Sequence, residues 1–66
     1  MILFTIFDRV EICDSTDDYL DGSRGQVVGY HHFDQIHDPS YIVLFENPPQ
    51  GYSPAIVIAG AYLKRI

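Results

Sequence analysis

Apolar residues along this chain come in short runs divided by polar or breaker-rich stretches, with no sustained helical period. The sharpest run is Tyr41-Ile42-Val43-Leu44-Phe45, stopped by Asp38-Pro39-Ser40 before it and Glu46-Asn47-Pro48-Pro49 after it. Its length, ring-bearing and β-branched content and flanking breakers predict a central β-strand with neighbours covering both faces. Arg9 to Cys13 alternates polar and apolar residues, the period of a half-buried strand with Val10 and Ile12 inward and Arg9 and Glu11 outward. Gly25 to Tyr30 reads as a strand whose glycines mark a close backbone approach or a bulge. Ala55 to Ala59 is a further strand. Gly60-Ala61-Tyr62 makes a short turn, one 3₁₀ turn at most, into a last extended piece, Leu63 to Ile66, with Leu63 and Ile66 as core contacts. Met1 to Phe7 is apolar and uncapped, and reads equally as a further strand or as an arm laid over the body.

The connections are as distinct as the strands. Asp14 to Gly22 holds four of the nine acids and ends in a glycine suited to positive φ, with Tyr19 and Leu20 expected to fold back onto the body. His31 to Ser40 is a long polar connection, and Glu46 to Pro54, with three of the four prolines, cannot be regular structure. Five short strands with turn signals between them and no long helix predict a single all-β domain over residues 1–66, a small barrel or sandwich.

Composition narrows the function classes. At 66 residues the chain is near the lower limit for a self-sufficient core, so a staple or a partner would help it. Its one cysteine, Cys13, allows no internal disulfide, and no apolar run approaches the ~20 residues of a spanning helix. A basic, cleavable leader is not apparent, and the expected setting is reducing and cytoplasmic, without a membrane. The formal charge is −5, and the bases Arg9, Arg24, Lys64 and Arg65 are scattered in sequence. That balance disfavours nucleic acid, which needs clustered cations, and favours a basic protein surface as partner.

Several residue groups invite a chemical reading. Asp14, Asp17, Asp18 and Asp21 offer carboxylates for Ca²⁺, but the EF-hand frame fails: counting from Asp14 puts Tyr19 at the glycine position and Gly25 at the glutamate position, and counting from Asp17 puts Val28 there. The loop reads first as solvated, or as a dock for a basic surface. His31, His32, Asp34, His37 and Asp38 are competent ligands for a borderline metal, yet their spacing fits no metal motif; a polar hairpin tip or a pH-responsive cluster are the other readings. Cys13 with a histidine would make a nucleophile–base pair, but no orienting group is suggested, and a lone thiol at a strand end is commonly a small core residue. Pro48-Pro49-Gln50-Gly51-Tyr52 misses the Pro-Pro-x-Tyr register by one residue. Nine aromatic residues exceed what one small core easily buries, so Tyr30, Tyr41, Tyr52, Tyr62 and Phe33 are candidates for an exposed contact group. The predicted partner-binding set is Asp14, Asp17, Asp18, Tyr19, Asp21 and Tyr52; no catalytic, metal or cofactor residue is assigned.

Three pieces together resemble SH3-like barrels. Phe4-Thr5-Ile6-Phe7-Asp8-Arg9-Val10-Glu11-Ile12 resembles the opening F-x-x-G-D-R-V-x-V, with Phe7 in place of glycine. GSRGQVVGY (Gly22 to Tyr30) resembles the G-x-x-G-x-V second strand of that group and of its KOW-type members, and Tyr41 to Ile66 is similar to the closing strand–hairpin–strand–turn–strand. The resemblance implies an all-β, five-stranded SH3-like barrel akin to accessory barrels such as photosystem I subunit IV, the variable chain of ferredoxin–thioredoxin reductase and the nitrile hydratase β subunit. It implies architecture and docking on a larger partner, not an activity. The chain lacks Trp and the ALYDY segment of peptide-binding SH3 domains, and its acidity departs from KOW-type nucleic-acid binders. The expected function is a non-enzymatic protein-interaction or regulatory module; the alternatives are a KOW-type nucleic-acid-associated module and an accessory subunit of an enzyme complex. Self-association is compatible with each.

Overall fold

A computed structural model describes residues 3–13, 20–32 and 39–66. It is all-β: β1 (Arg9–Ile12), β2 (Arg24–His32), β3 (Ser40–Phe45), β4 (Ala55–Ala59) and β5 (Leu63–Arg65), with one 3₁₀ turn (Gly60–Tyr62) leading into β5. All pairings are antiparallel, and the strand order is β4-β3-β2-β1-β5. β3 is internal, as its sequence predicts, between β2 and β4. No ladder joins β4 to β5 among the described residues, so the sheet stays open with two edges rather than closing into the expected barrel.

Alternation along the strands sorts residues to the two faces. Val10, Ile12, Val27, Tyr41, Val43, Phe45, Ile58 and Leu63 form the core with Phe4, and Leu20 packs against it. Coverage of β3 departs from expectation. Tyr41, Val43 and Phe45 are buried, but the alternate positions are not: Ile42 is half-buried and Leu44 is 44% exposed. Ile66 also departs. It follows the last residue of β5, holds on by its N–H to the Arg9 carbonyl, and leaves its side chain 47% exposed rather than in the core.

The start of the chain resolves as an arm, since no strand forms across residues 3–7. Phe4 is buried, its N–H donates to Tyr41 Oη (3.0 Å), and Tyr30 Oη donates to its carbonyl (3.2 Å). Arg65 lies over the Phe4 ring, 5.0 Å from its centroid, and donates to the Leu3 carbonyl. The arm thus closes one mouth of the core through backbone bonds to two tyrosines and a cation–π contact.

The glycines of β2 have the predicted uses. A Cβ on Gly25 would sit 2.4 Å from the Leu44 carbonyl oxygen, a backbone atom that cannot give way. Between Val27 and Gly29 the register with β3 shifts, a bulge that bends the longest strand. Phe7 stands at the position where the resembling pattern carries glycine, and it has φ of 76° in the left-handed region. An L side chain there costs about 1–2 kcal/mol, against about 0.5–1 kcal/mol of extra chain entropy for glycine. With its ring 72% exposed, Phe7 returns little packing for that strain. Phe7→Gly is therefore expected to be about 1 kcal/mol more stable to urea than Phe7→Ala, which removes the ring but keeps the Cβ. Equal stability of the two variants would contradict backbone strain at this position.

Candidate protein-interaction surface

The outer face of the sheet divides into a charged half and an apolar half. On the charged half Glu11 of β1 lies between two cations on neighbouring strands: Arg24 Nε and Lys64 Nζ, each 3.1 Å away. Register explains the row, because Glu11 pairs with Arg24 on one side and Lys64 on the other. Arg9 meets Glu46 at 2.6 Å, while Arg65, opposite buried Val10 in the ladder and over the Phe4 ring, meets Asp8 at 3.0 Å at the rim of the core side. All four basic side chains are thus engaged by three carboxylates. The other six acids of the sequence, Asp14, Asp17, Asp18, Asp21, Asp34 and Asp38, all belong to the two connections between β1 and β2 and between β2 and β3.

These contacts move two acidities. The Thr5 backbone N–H above all, helped by the Arg65 guanidinium, holds the Asp8 carboxyl below its ordinary value of 3.8, with desolvation, second in size only to the Thr5 bond, opposing them. Lys64 first and Arg24 second hold Glu11 below its ordinary 4.5.

The predicted contact residues are only partly brought together. β1 leads into β2, and β3 into β4, at the same end of the sheet, where Gly25 pairs with Phe45. There the Glu46 N–H donates to the Arg24 carbonyl (2.9 Å), and an open cleft is lined by Asp21, Gly22, Ser23, Arg24, Glu46 and Asn47. Asp21 is exposed at this cleft, and Tyr52 sits half-buried in the neighbouring connection, its N–H donating to the Pro49 carbonyl. Asp14, Asp17, Asp18 and Tyr19 lie outside the described residues.

The expected aromatic group is not one patch. Tyr41 is fully buried and is the largest side chain of the core. Tyr62 packs partly against the core, Tyr30 is 49% exposed toward the other end of β2, and Phe33 lies outside the described residues. Tyr52 shares an end of the sheet with Asp21, and Tyr62 reaches the β1–β2 connection through its carbonyl, which accepts the Cys13 N–H. His31 and His32 are exposed, whereas Asp34, His37 and Asp38 lie outside the described residues; among the described residues no group of three potential ligands forms. Cys13 is half-buried and unbridged, and its N–H donates to the Tyr62 carbonyl (2.8 Å).

The apolar half went unread in the sequence. Ile42 and Leu44 of β3, Val57 of β4 and Val28 of β2 stand on or beside one outward row, with Ile42 opposite Val57 and Leu44 opposite Ala55. Its signal was present: β3 and β4 carry apolar residues at every position from Tyr41 to Phe45 and Ala55 to Ala59, where a sheet with one wet face would alternate. Such a run predicts cover on both faces. The structure shows cover on one.

No family model matches this chain, and no curated protein or solved structure matches it. No helix among the described residues is long and apolar enough to cross a membrane.

Because Asp8 and Glu11 are more acidic folded than unfolded, their contribution to stability is complete above about pH 4.5 and is lost as pH falls through their lowered folded values. Thermal unfolding of the wild type and Glu11→Gln should therefore differ most near neutral pH and converge toward pH 3. Parallel profiles across that range would show that the row across β2, β1 and β5 is energetically idle.

Proposed function

We propose that this chain is a non-enzymatic interaction module, an SH3-like barrel in type, that docks on a basic protein surface through the connection between β1 and β2 and the adjacent Tyr52. The observation that carries this reading is the partition of charge. Each of the four bases meets Asp8, Glu11 or Glu46 in an ion pair on or beside β1, β2 and β5. The other six acids of the sequence all fall in the two connections, so the formal charge of −5 is weighted toward them. A field of that sign steers cationic partners and repels polyanions. The strand order with β1 between β2 and β5, and the 3₁₀ turn entering β5, support the SH3-like assignment. Regulation of a client enzyme, or service as an accessory subunit, are both forms of such docking.

One observation favours the KOW-type alternative: Arg9, Arg24, Lys64 and Arg65 do lie on neighbouring strands of one sheet. Four cations against three carboxylates leave that region a surplus of a single charge, too little to track a phosphate backbone.

Immobilised protein should capture basic proteins from a lysate at low ionic strength and release them at roughly 0.5 M salt, where the screening length is only a few ångströms. The variant with Asp14, Asp17, Asp18 and Asp21 all changed to Asn should capture about tenfold less, while neither protein shifts RNA or DNA in a low-salt gel. Capture indifferent to salt and to the four substitutions would overturn acidic docking, and a mobility shift would favour the alternative.

A further inference from the structure

We infer that β4 is a self-pairing edge, and that a second copy of this chain adds to it antiparallel, joining two sheets about a two-fold axis through Val57. The inference is independent of the acidic docking above and uses a different surface.

Hydrogen bonding fixes which groups β4 presents. Its register with β3 pairs Leu44 with Ala55, Val43 with Ile56, Ile42 with Val57, Tyr41 with Ile58 and Ser40 with Ala59. Just beyond its two ends the Phe45 N–H donates to the Pro54 carbonyl and the Gly60 N–H to the Pro39 carbonyl. In an antiparallel ladder hydrogen-bonded and non-hydrogen-bonded pairs alternate. Residues 54, 56, 58 and 60 therefore direct their backbone groups to β3, and Ala55, Val57 and Ala59 direct theirs to the open edge. No strand among the described residues lies beyond them.

Within the strand itself, and among the described residues, that edge carries none of the usual protection. Natural sheets blunt such strands with Lys, Pro, an inward charge or a bulge. Ala55-Ile56-Val57-Ile58-Ala59 has no charge and no proline, and its ladder with β3 runs without a register shift. Pro54 lies just outside and lacks a donor on the β3 side, not on the open side.

The occupant follows from the order of residues. The strand reads identically in both directions about Val57. Antiparallel pairing of two copies therefore sets Val57 against Val57, Ala55 against Ala59 and Ile56 against Ile58, each pair matched in size. The centre falls on a residue whose N–H and C=O both face the edge, so Val57 and its copy would exchange both backbone hydrogen bonds across the two-fold axis of an isologous contact. A frame shifted by one residue would oppose groups that point away from each other. Side chains agree with the backbone. On the outer face Val57, 51% exposed, would meet its copy, extending the apolar row of Ile42 and Leu44 across the junction. On the inner face half-buried Ile56 would meet Ile58. Beyond the ends, Pro54 would lie opposite Gly60, which has no side chain to clash. A strand without charge offers nothing to select a charged partner in preference to itself. For a chain of this size, the added core also offsets a small domain's shortage of buried surface.

The full-length protein in sedimentation equilibrium, from about 5 µM to about 500 µM, should pass from monomer to dimer, a range suited to interfaces below standard size. Added salt should leave the dimer unchanged or tighten it, because two copies of charge −5 repel; acidic docking responds in the opposite sense, so either reading can fail alone. Val57→Lys should weaken association at least tenfold while the circular dichroism spectrum is retained. Amide exchange gives a second reading that needs no variant. Ile56 and Ile58 should be protected at every concentration, and Ala55, Val57 and Ala59 only where the dimer is populated. A monomer at the highest concentration, a dimer that ignores Val57→Lys, or concentration-independent exchange at Ala55, Val57 and Ala59 would each overturn the inference.

Discussion

One buried side chain, Tyr41, is where separate parts of this small structure meet. Its hydroxyl accepts the Phe4 N–H, its ring meets the Phe4 ring edge-on at 5.4 Å and the Tyr30 ring at 5.6 Å. Gly60 lies so close beneath that a Cβ there would fall 2.9 Å from Tyr41 Cε2. The arm, β2, β3 and the 3₁₀ turn therefore converge on a single phenol. A hydroxyl in a core costs about 1–3 kcal/mol if left unpaired, so the arm must be seated for the core to be complete. No buried side-chain polar atom among the described residues lacks a partner.

With the inner face closed by that convergence, the two halves of the outer face remain exposed. Their character follows from strand order. β1, lying between β2 and β5, gathers the bases and pairs them off with Glu11, Asp8 and Glu46. β3 and β4, whose outward residues are Ile42, Leu44 and Val57, stay apolar. The bases are thus spent on the protein's own carboxylates around β1, while β4 leaves an uncharged edge at the side of the sheet.

Much of the framework was legible in sequence because it depends on local chemistry. Bounded apolar runs placed β3 and β4 to within one residue, alternation placed Val10 and Ile12 inward, and the glycines of β2 pointed to a close approach or a bulge, where the strand has both. What was not legible depends on which strands become neighbours. An all-apolar run looks the same whether its second face is covered or bare, so the exposure of Leu44 could not be read. Tyr41 looks like its fellow tyrosines until the fold buries it. Tyr30 and Tyr52 are alike in sequence, yet opposite ends of the sheet separate them. The scattered bases Arg9, Arg24, Lys64 and Arg65 become neighbours only when β5 returns to β1. Of the predicted contact set, Asp21 and Tyr52 come to one end of the sheet, joined there by Glu46 and Asn47, which the sequence did not single out.

The most direct probe of the convergence on Tyr41 is hydrogen exchange at the Phe4 amide. Phe4 belongs to no strand, so its N–H is protected only if the Tyr41 hydroxyl holds it inside a seated core. Exchange as slow as at Val43, in the middle of β3, is the result that convergence predicts. Exchange at the rate of an unstructured chain would contradict it.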